Sequence, residues 1–219
     1  MTARRVQGHL VVSAGPTREY VDPVRFLSNV SSGRMGFEIA AAAARSGRRV
    51  TLVAGPVALA TPPGVERVDV VSAREMLTAL RRAFAGADAL VMAAAVADWR
   101  PVRRLAGKWR AKDGGRSATE LALVRNPDIL ATLARRKGRR TVVGFALETG
   151  AGLRRARAKL ERKNADYIVL NDDSALNQGS ATVTILAKDG TVERHERRAK
   201  REIARRIVRL LASHVDSRA

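Results

Sequence analysis

The sequence predicts an α/β fold: a doubly wound, mostly parallel, Rossmann-like sheet with a small C-terminal β-hairpin element. Three observations carry that expectation. Short β-branched apolar runs alternate with segments of helical periodicity along most of the 219 residues. The first apolar run is followed, after a long loop, by an alanine-rich segment, and alanine is the strongest helix former. Near the end, Lys188-Asp189-Gly190 separates two alternating runs, and an Asp-Gly pair in that setting signals a tight hairpin.

In chain order, strands are expected near 9–14, 49–54, 66–71, 88–94, 119–124, 141–146 and 166–170, with helices near 36–46, 73–85, 127–137, 150–163 and 197–213. Leu10-Val11-Val12 reads as a buried first strand. The connection from it to Phe37-Glu38-Ile39 is about twenty residues long, where such links usually take ~2–6. Open α/β sheets bind ligands at strand carboxyl ends. This loop gathers Ser28, Asn29, Ser31, Ser32 and Gly33 just before the helix, and hydroxyls beside the N–H groups of a helix start suit an anion. Asn126-Pro127-Asp128 reads as an N-cap at Asn126 with proline at the first helical position. Residues 100–117 are basic, glycine-containing and aperiodic, which predicts a mobile flap. The hairpin is expected near 181–195, and residues 1–219 read as one domain without repeats or a low-complexity linker.

Composition narrows the function classes. No run of about 18 apolar residues occurs, so no membrane helix is predicted. The N-terminus lacks an apolar signal core, which predicts a cytoplasmic protein. The absence of cysteine excludes disulfides and thiol catalysis, and three scattered histidines do not suggest a zinc site. The net charge is +20, with 13 basic against 8 acidic side chains in residues 1–100 and 28 against 13 in the rest. A basic nucleic-acid-binding α/β protein is therefore the alternative reading. Against it, the arginines are spread over several predicted helices and aromatics make up only 4%, too few for a stacking platform.

Individual residues add chemistry. The first strand is not followed by Gly-x-G-x-x-Gly, Gly-x-x-x-x-Gly-Lys-Ser/Thr is missing, and no Tyr-x-x-x-Lys pair follows the middle strands. A dinucleotide fingerprint, a P-loop and an NAD(P)-dependent or nucleotide-sugar reductase are therefore disfavoured. Asp98, just past an apolar strand, can accept ribose hydroxyls or help hold a metal-triphosphate, or simply cap a turn. Lys159 and Lys163 stand four apart and share a helix face, an arrangement that is mildly unfavourable unless a partner lies between them. Phe145 ends a β-branched strand and can pack on a base or in the core. Asn29 offers an amide donor to a developing oxyanion, and Arg25 a planar fork for a phosphate.

The same segments carry a family likeness. Ala14-Gly15-Pro16-Thr17-Arg18-Glu19, Asp22-Pro23-Val24-Arg25 and Ser28-Asn29-x-Ser31-Ser32-Gly33-x-Met35-Gly36 open the series. Ala94-Ala95-Val96-Ala97-Asp98-Trp99, Asn126-Pro127-Asp128-Ile129, Gly144-Phe145-Ala146-x-Glu148-Thr149, Lys163-Asn164-x-Asp166 and Asn171-Asp172 follow in order. Together they resemble phosphopantothenoylcysteine synthetase, the ligase half of the bacterial coenzyme A biosynthesis flavoprotein, over roughly residues 11–211.

The resemblance implies a ligase that joins 4'-phosphopantothenate to L-cysteine through an acyl-cytidylate, with release of pyrophosphate and CMP. It implies CTP as co-substrate in the bacterial form, Mg²⁺, a homodimer built partly through the C-terminal β element, and a fused or associated phosphopantothenoylcysteine decarboxylase. Nucleotide binding falls to Asp98, Lys108, Pro127, Asp128, Ile129, Leu130, Phe145, Lys159 and Lys163. Arg25, Asn29, Ser31, Ser32, Gly33 and Ala95 face the phosphopantothenate, with Asn29 and Lys108 as the catalytic pair; no metal ligands are assigned. Two departures from the family stand out: Lys108-Trp109-Arg110-Ala111-Lys112 replaces a Lys-x-Lys-Lys cluster, and the segment 171–179 before the hairpin is short.

Overall fold

A computed structural model describes residues 8–110, 120–147, 152–171 and 180–216, with side chains to residue 211. The expected flap residues 111–117 with Lys112, the helix start at 150–151, Glu148 and Thr149, and 172–179 lie outside the described residues.

The expected α/β architecture is present. Eight strands form one sheet: β1 (His9–Ala14), β4 (Arg49–Ala54), β5 (Val65–Asp69), β6 (Ala89–Met92), β9 (Thr141–Leu147), β10 (Tyr167–Asn171), β11 (Ser180–Ala187) and β12 (Val192–Ala199). Their spatial order is β12-β11-β10-β9-β6-β1-β4-β5. The first six in chain order run parallel, and the last two close the sheet antiparallel. The predicted hairpin is thus continuous with the main sheet. Its outer strand reads Val-Glu-Arg-His-Glu-Arg-Arg-Ala, so charge lines the exposed edge, as edge strands commonly require.

Among the described residues, five helices cover both faces. Helices α1 (Arg34–Arg45) and α5 (Lys200–Asp216) lie together, joining Ile39, Ala43, Ile203, Ala204 and Ile207 to Leu10, Val12 and Val91 in one buried cluster. The opposite face carries α2 (Ala73–Phe84) and α3 (Ile129–Ala134), with Met76, Leu80, Ile129 and Leu133 packed on Val11, Leu90 and Val142. Helix α4 (Gly152–Arg162) places Ala156 and Leu160 on Ile168 and Leu186. β1 is central, and chain order runs away from it in both directions, through β4 to one edge and through β6 to the other. The carboxyl ends of β1 and β6 therefore open into the crevice where such folds bind ligands. Among the described residues no helix is long and apolar enough to cross a membrane.

Several expectations need correction. The loop after β1 contains a small hairpin of β2 (Arg18–Tyr20) and β3 (Phe26–Ser28), too short to show a periodicity. The strand expected near 119–124 does not enter the sheet. It is β8 (Leu123–Arg125), exposed throughout, and it pairs antiparallel with β7 (Trp99–Pro101). The expected flap thus begins in a strand, with Arg100 and Pro101 in β7. Asn126 does not cap α3. Asp128 does, accepting from Ala131 N at 3.0 Å; the Asn126 Oδ1 that a cap would use accepts from Arg100 at 3.2 Å, while its Nδ2 donates to Ala97 O at 2.8 Å. Proline 127 therefore lies outside the helix.

Candidate active site

The motif after β1 is in large part scaffolding. Thr17 N donates to Ala95 O at 3.3 Å, Ala95 N to Gly15 O at 2.9 Å, and Ala97 N to Thr17 Oγ1 at 3.0 Å. These bonds tie the loop to the chain leaving β6. Glu19, 4% exposed, accepts from Ala73 N at 2.9 Å and so anchors the start of α2. Gly36 lets α1 approach β1, since a Cβ there would lie 2.5 Å from Ala14 Cβ. Gly33 holds the αL conformation at the N-cap of α1, with φ 73°, a conformation costly for other residues.

Above the strand ends lie two adjoining cavities. The larger, about 760 Å³, is lined by Asp98, Pro127, Asp128, Ile129 and Leu130 on one side. Phe145, Lys159 and Lys163 line it on the other. The smaller, about 580 Å³, is lined by Asn29, Ser31, Ser32, Gly33 and Ala95. Ala94, Val96, Asp98, Phe145 and Lys159 belong to both walls, so the cavities communicate. Thirteen of the fifteen residues expected from the sequence meet here.

Geometry shows what holds these groups. Asn126 N donates to Asp98 O at 2.8 Å, and Arg100 reaches Arg125 O at 2.6 Å, which joins the turns carrying Asp98 and Asp128. The two lysines have partners inside the protein: Lys159 donates to Phe145 O at 2.8 Å and Lys163 to Asp128 Oδ2. Burial pushes the Lys163 ammonium down, against which the nearby Asp98 charge pulls it up. Arg135 and Arg162 add further positive charge to the larger cavity. Asn29 Nδ2 donates to Val96 O at 3.0 Å, which orients the amide at the junction of the cavities.

Arg25 and Lys108 stand apart from both linings. Arg25 donates to Asp22 Oδ2 at 2.8 Å and to Trp109 O, and Trp109 N donates to the same carboxylate at 3.0 Å. Leu105 N donates to Val21 O at 2.8 Å, so residues 105–109 are pinned to the β2–β3 turn. Asp22 is fully buried. Burial raises its pKa, but N–H groups of Val24, Arg25 and Trp109 and the Arg25 charge outweigh this and hold it at about 2. Lys108 lies exposed in that pinned segment. The sequence reading missed Arg34, Asn171 and Lys200, all lining the smaller cavity. Asn171 belongs to a quoted motif and Arg34 fills an open position within another, but Lys200 stands in the sequence among six arginines and offers no such signal.

Sheet order, switch-point crevice and paired polar cavities together define a Rossmann-like α/β protein whose candidate site bridges β1, β6 and β9. Residues 6–215 match the DNA/pantothenate metabolism flavoprotein C-terminal domain, and the chain belongs to that family. It is 48% identical over 172 residues to the coenzyme A biosynthesis bifunctional protein CoaBC of Escherichia coli, an alignment covering 78% of this chain and 42% of that protein. The protein of the same description from Mycobacterium bovis is 43% identical over 213 residues, 91% of this chain and 50% of that one. The crystal structure of the C-terminal domain of CoaBC superposes with a TM-score of 0.84 at 37% identity, covering 97% of each chain. The chain thus spans about half the length of the curated relatives it matches.

Proposed function

We propose that this domain is a phosphopantothenate–cysteine ligase of coenzyme A biosynthesis that works through an acyl-nucleotide. Family membership supports the class of reaction, and the observation that carries the chemistry is the shared wall of the two cavities. A ligase of this kind needs a carboxylate and an α-phosphate within bonding reach, and Asp98, Phe145 and Lys159 border both spaces.

The larger cavity takes the nucleoside triphosphate and the smaller one the phosphopantothenate. The substrate carboxylate attacks the α-phosphorus, the bond to the β-phosphate breaks, and pyrophosphate leaves. The amine of L-cysteine then attacks the activated carbonyl carbon and loses a proton as the amide forms, and the nucleoside monophosphate departs with one carboxylate oxygen. In the first half-reaction charge builds on the triphosphate, where Lys163, the neighbouring arginines and Lys108 brought in from the pinned segment offset it. In the second, charge moves to the acyl oxygen, where the Asn29 amide can donate.

Two carboxylates, Asp98 and Asp128, line the larger cavity, and no group of three or more His, Cys, Asp or Glu suited to a metal occurs among the described residues. That suits Mg²⁺, which binds through one or two carboxylates plus substrate phosphates. Asp98 would hold the ion together with the substrate phosphates, since both Asp128 oxygens are engaged, by Ala131 N and by Lys163; the ion would supply charge neutralisation on the phosphates.

CTP is the proposed nucleotide, because Phe145, Lys159 and Lys163 together match the bacterial arrangement. A site that hydrogen-bonds one base edge rejects another by roughly a hundred-fold or more. Competition in one tube should therefore favour CTP over ATP in kcat/KM, and equal values would exclude this assignment. A homodimer is likewise proposed, and light scattering at micromolar concentration should give twice the 23.7 kDa chain mass. A monomer alone would rule it out. The ligase reading itself is tested by omission: pyrophosphate release should require the nucleotide and phosphopantothenate together. Release without phosphopantothenate, or none with every component present, would refute it.

A further inference from the structure

Two residues outside every quoted motif and outside both cavity linings bear on the site. Val57 lies in the connection from β4 to β5, and Arg67 lies in β5. Val57 Cγ1 sits where Gly15 and Gly33 come together. A Cβ added at Gly15 would meet it at 3.0 Å, and one at Gly33 would meet it at 3.1 Å. The same Gly33 Cβ would lie 3.3 Å from Gly15 Cα, so the two left-handed glycines and the valine pack as one contact. Gly55 begins it, donating its N–H to Ala14 O at 2.9 Å. The valine therefore backs the turn that carries Ser31 and Ser32 into α1.

The backbone does not hold Val57 in place. Among the described residues, no backbone–backbone hydrogen bond engages Val57, Ala58 or Leu59. Arg67 supplies the hold, donating to Leu59 O at 2.7 Å and, more weakly, to Val57 O at 3.4 Å. Its guanidinium also stands 5.3 Å from the ring centroid of Phe37 in the first turn of α1, and it pairs with Asp69 Oδ1 at 2.7 Å. Val65 and Arg67 share one face of β5, and Val65 packs on the cluster beneath α1. A cation on that face carries a desolvation cost that an apolar side chain would not, and its bonds to the two carbonyls and to Asp69 offset that cost.

We infer that Arg67 and Val57 are positioning residues for the smaller cavity. Arg67 fixes the segment 57–59, and Val57 in turn fixes the contact of Gly15 with Gly33 that sets the rim of Asn29, Ser31 and Ser32. Neither side chain lines a cavity, so each acts through that turn. The inference rests on the ligase reading, in which this rim takes phosphopantothenate. A long loop needs such a brace, because misplacing substrate by about 1 Å can cost up to about a hundred-fold in rate.

The test compares Val57→Ala, Arg67→Met, Arg67→Lys and the double variant Val57→Ala with Arg67→Met in steady-state pyrophosphate release. Denaturant unfolding follows stability, and Phe84→Leu serves as a control for destabilisation alone. Phe84 is buried at the last residue of α2, outside both linings. Val57→Ala and Arg67→Met should each raise KM for phosphopantothenate about tenfold, with KM for the nucleotide unchanged. Because the two act in series, the double variant should be no worse than the worse single one. Arg67→Lys keeps a donor for Leu59 O and should recover part of the loss. Phe84→Leu should lower stability and leave both KM values alone.

Wild-type KM in folded Val57→Ala or Arg67→Met would overturn the inference while leaving the ligase reading intact. So would an equal rise in both KM values, multiplied effects in the double variant, or the same rise in Phe84→Leu. If Arg67→Met does not fold, Val57→Ala decides alone. If the wild type releases no pyrophosphate, the ligase reading fails, and NMR of the free protein judges the brace by itself. The Ser31, Ser32 and Gly33 amides should then move in Arg67→Met as in Val57→Ala but not in Phe84→Leu. Amides unmoved in Arg67→Met would reject it.

Discussion

Asn29→Ala should slow overall ligation by about 10²–10³ while the acyl-nucleotide still forms and accumulates. The Asn29 amide has two N–H donors. One is held by Val96 O at 3.0 Å, which positions the other at the cavity wall before any charge develops. Losing one preorganised donor to a developing oxyanion typically costs roughly 3–4 kcal/mol, hence the expected factor. Lys108→Gln should act on the opposite half, suppressing acyl-nucleotide formation and pyrophosphate release together. Lys108 lies outside both linings, in a segment pinned through Trp109 N to Asp22, so its contribution requires that segment to move over the triphosphate. Mass spectrometry of quenched reactions reads both variants. Accumulation of the intermediate in Lys108→Gln, or wild-type turnover in Asn29→Ala, would contradict the assignment.

The largest expected loss of stability is at Asp166. Its Oδ1 accepts from Lys137 Nζ at 2.6 Å and its Oδ2 from Val142 N at 2.8 Å. Asp166 is 3% and Lys137 7% exposed, so neither charge is well hydrated. Removing one member of a buried pair costs about 3–5 kcal/mol, because the other charge stays buried. Asp166→Ala also strips the acceptor from an N–H in β9. Denaturant unfolding should show that loss, and a fall in stability below about 1 kcal/mol would show that the pair contributes little. The Lys163-Asn164-x-Asp166 motif thus combines a cavity residue with a structural one. Asn164 Nδ2 adds a bond to Ala134 O at 3.1 Å, so Asn164 and Asp166 brace the region around α3 on which Asp128 sits.

The long sheet strands and amphipathic helices were legible because each buries one face or both, and burial imposes periodicity on the sequence. β2, β3, β7 and β8 were hidden or misplaced because three-residue strands pairing outside the sheet impose none. The N-cap of α3 was misread by two residues. Asn-Pro is a good local start signal, but tertiary bonds claim both ends of the Asn126 amide, Arg100 its oxygen and Ala97 O its N–H. Residues on motifs that end strands do line the two cavities, since strand ends point to the crevice whatever the loop does. Arg25 and Lys108 show the limit of that logic. Both lie on the loops above the strands, and a buried carboxylate at Asp22 decides where those loops rest. Lys200 escaped notice because its neighbours are also basic. Only the direct passage from β12 into α5 distinguishes it from a solvated charge.

Oxygen tracing tests the acyl-nucleotide most directly. Phosphopantothenate labelled with ¹⁸O in its carboxylate is incubated with nucleotide, Mg²⁺ and cysteine, and the products are analysed by mass spectrometry. Attack of that carboxylate on the α-phosphorus requires one labelled oxygen to end in the nucleoside monophosphate. Label found in inorganic phosphate instead, or absent from the monophosphate after full turnover, would contradict the mechanism.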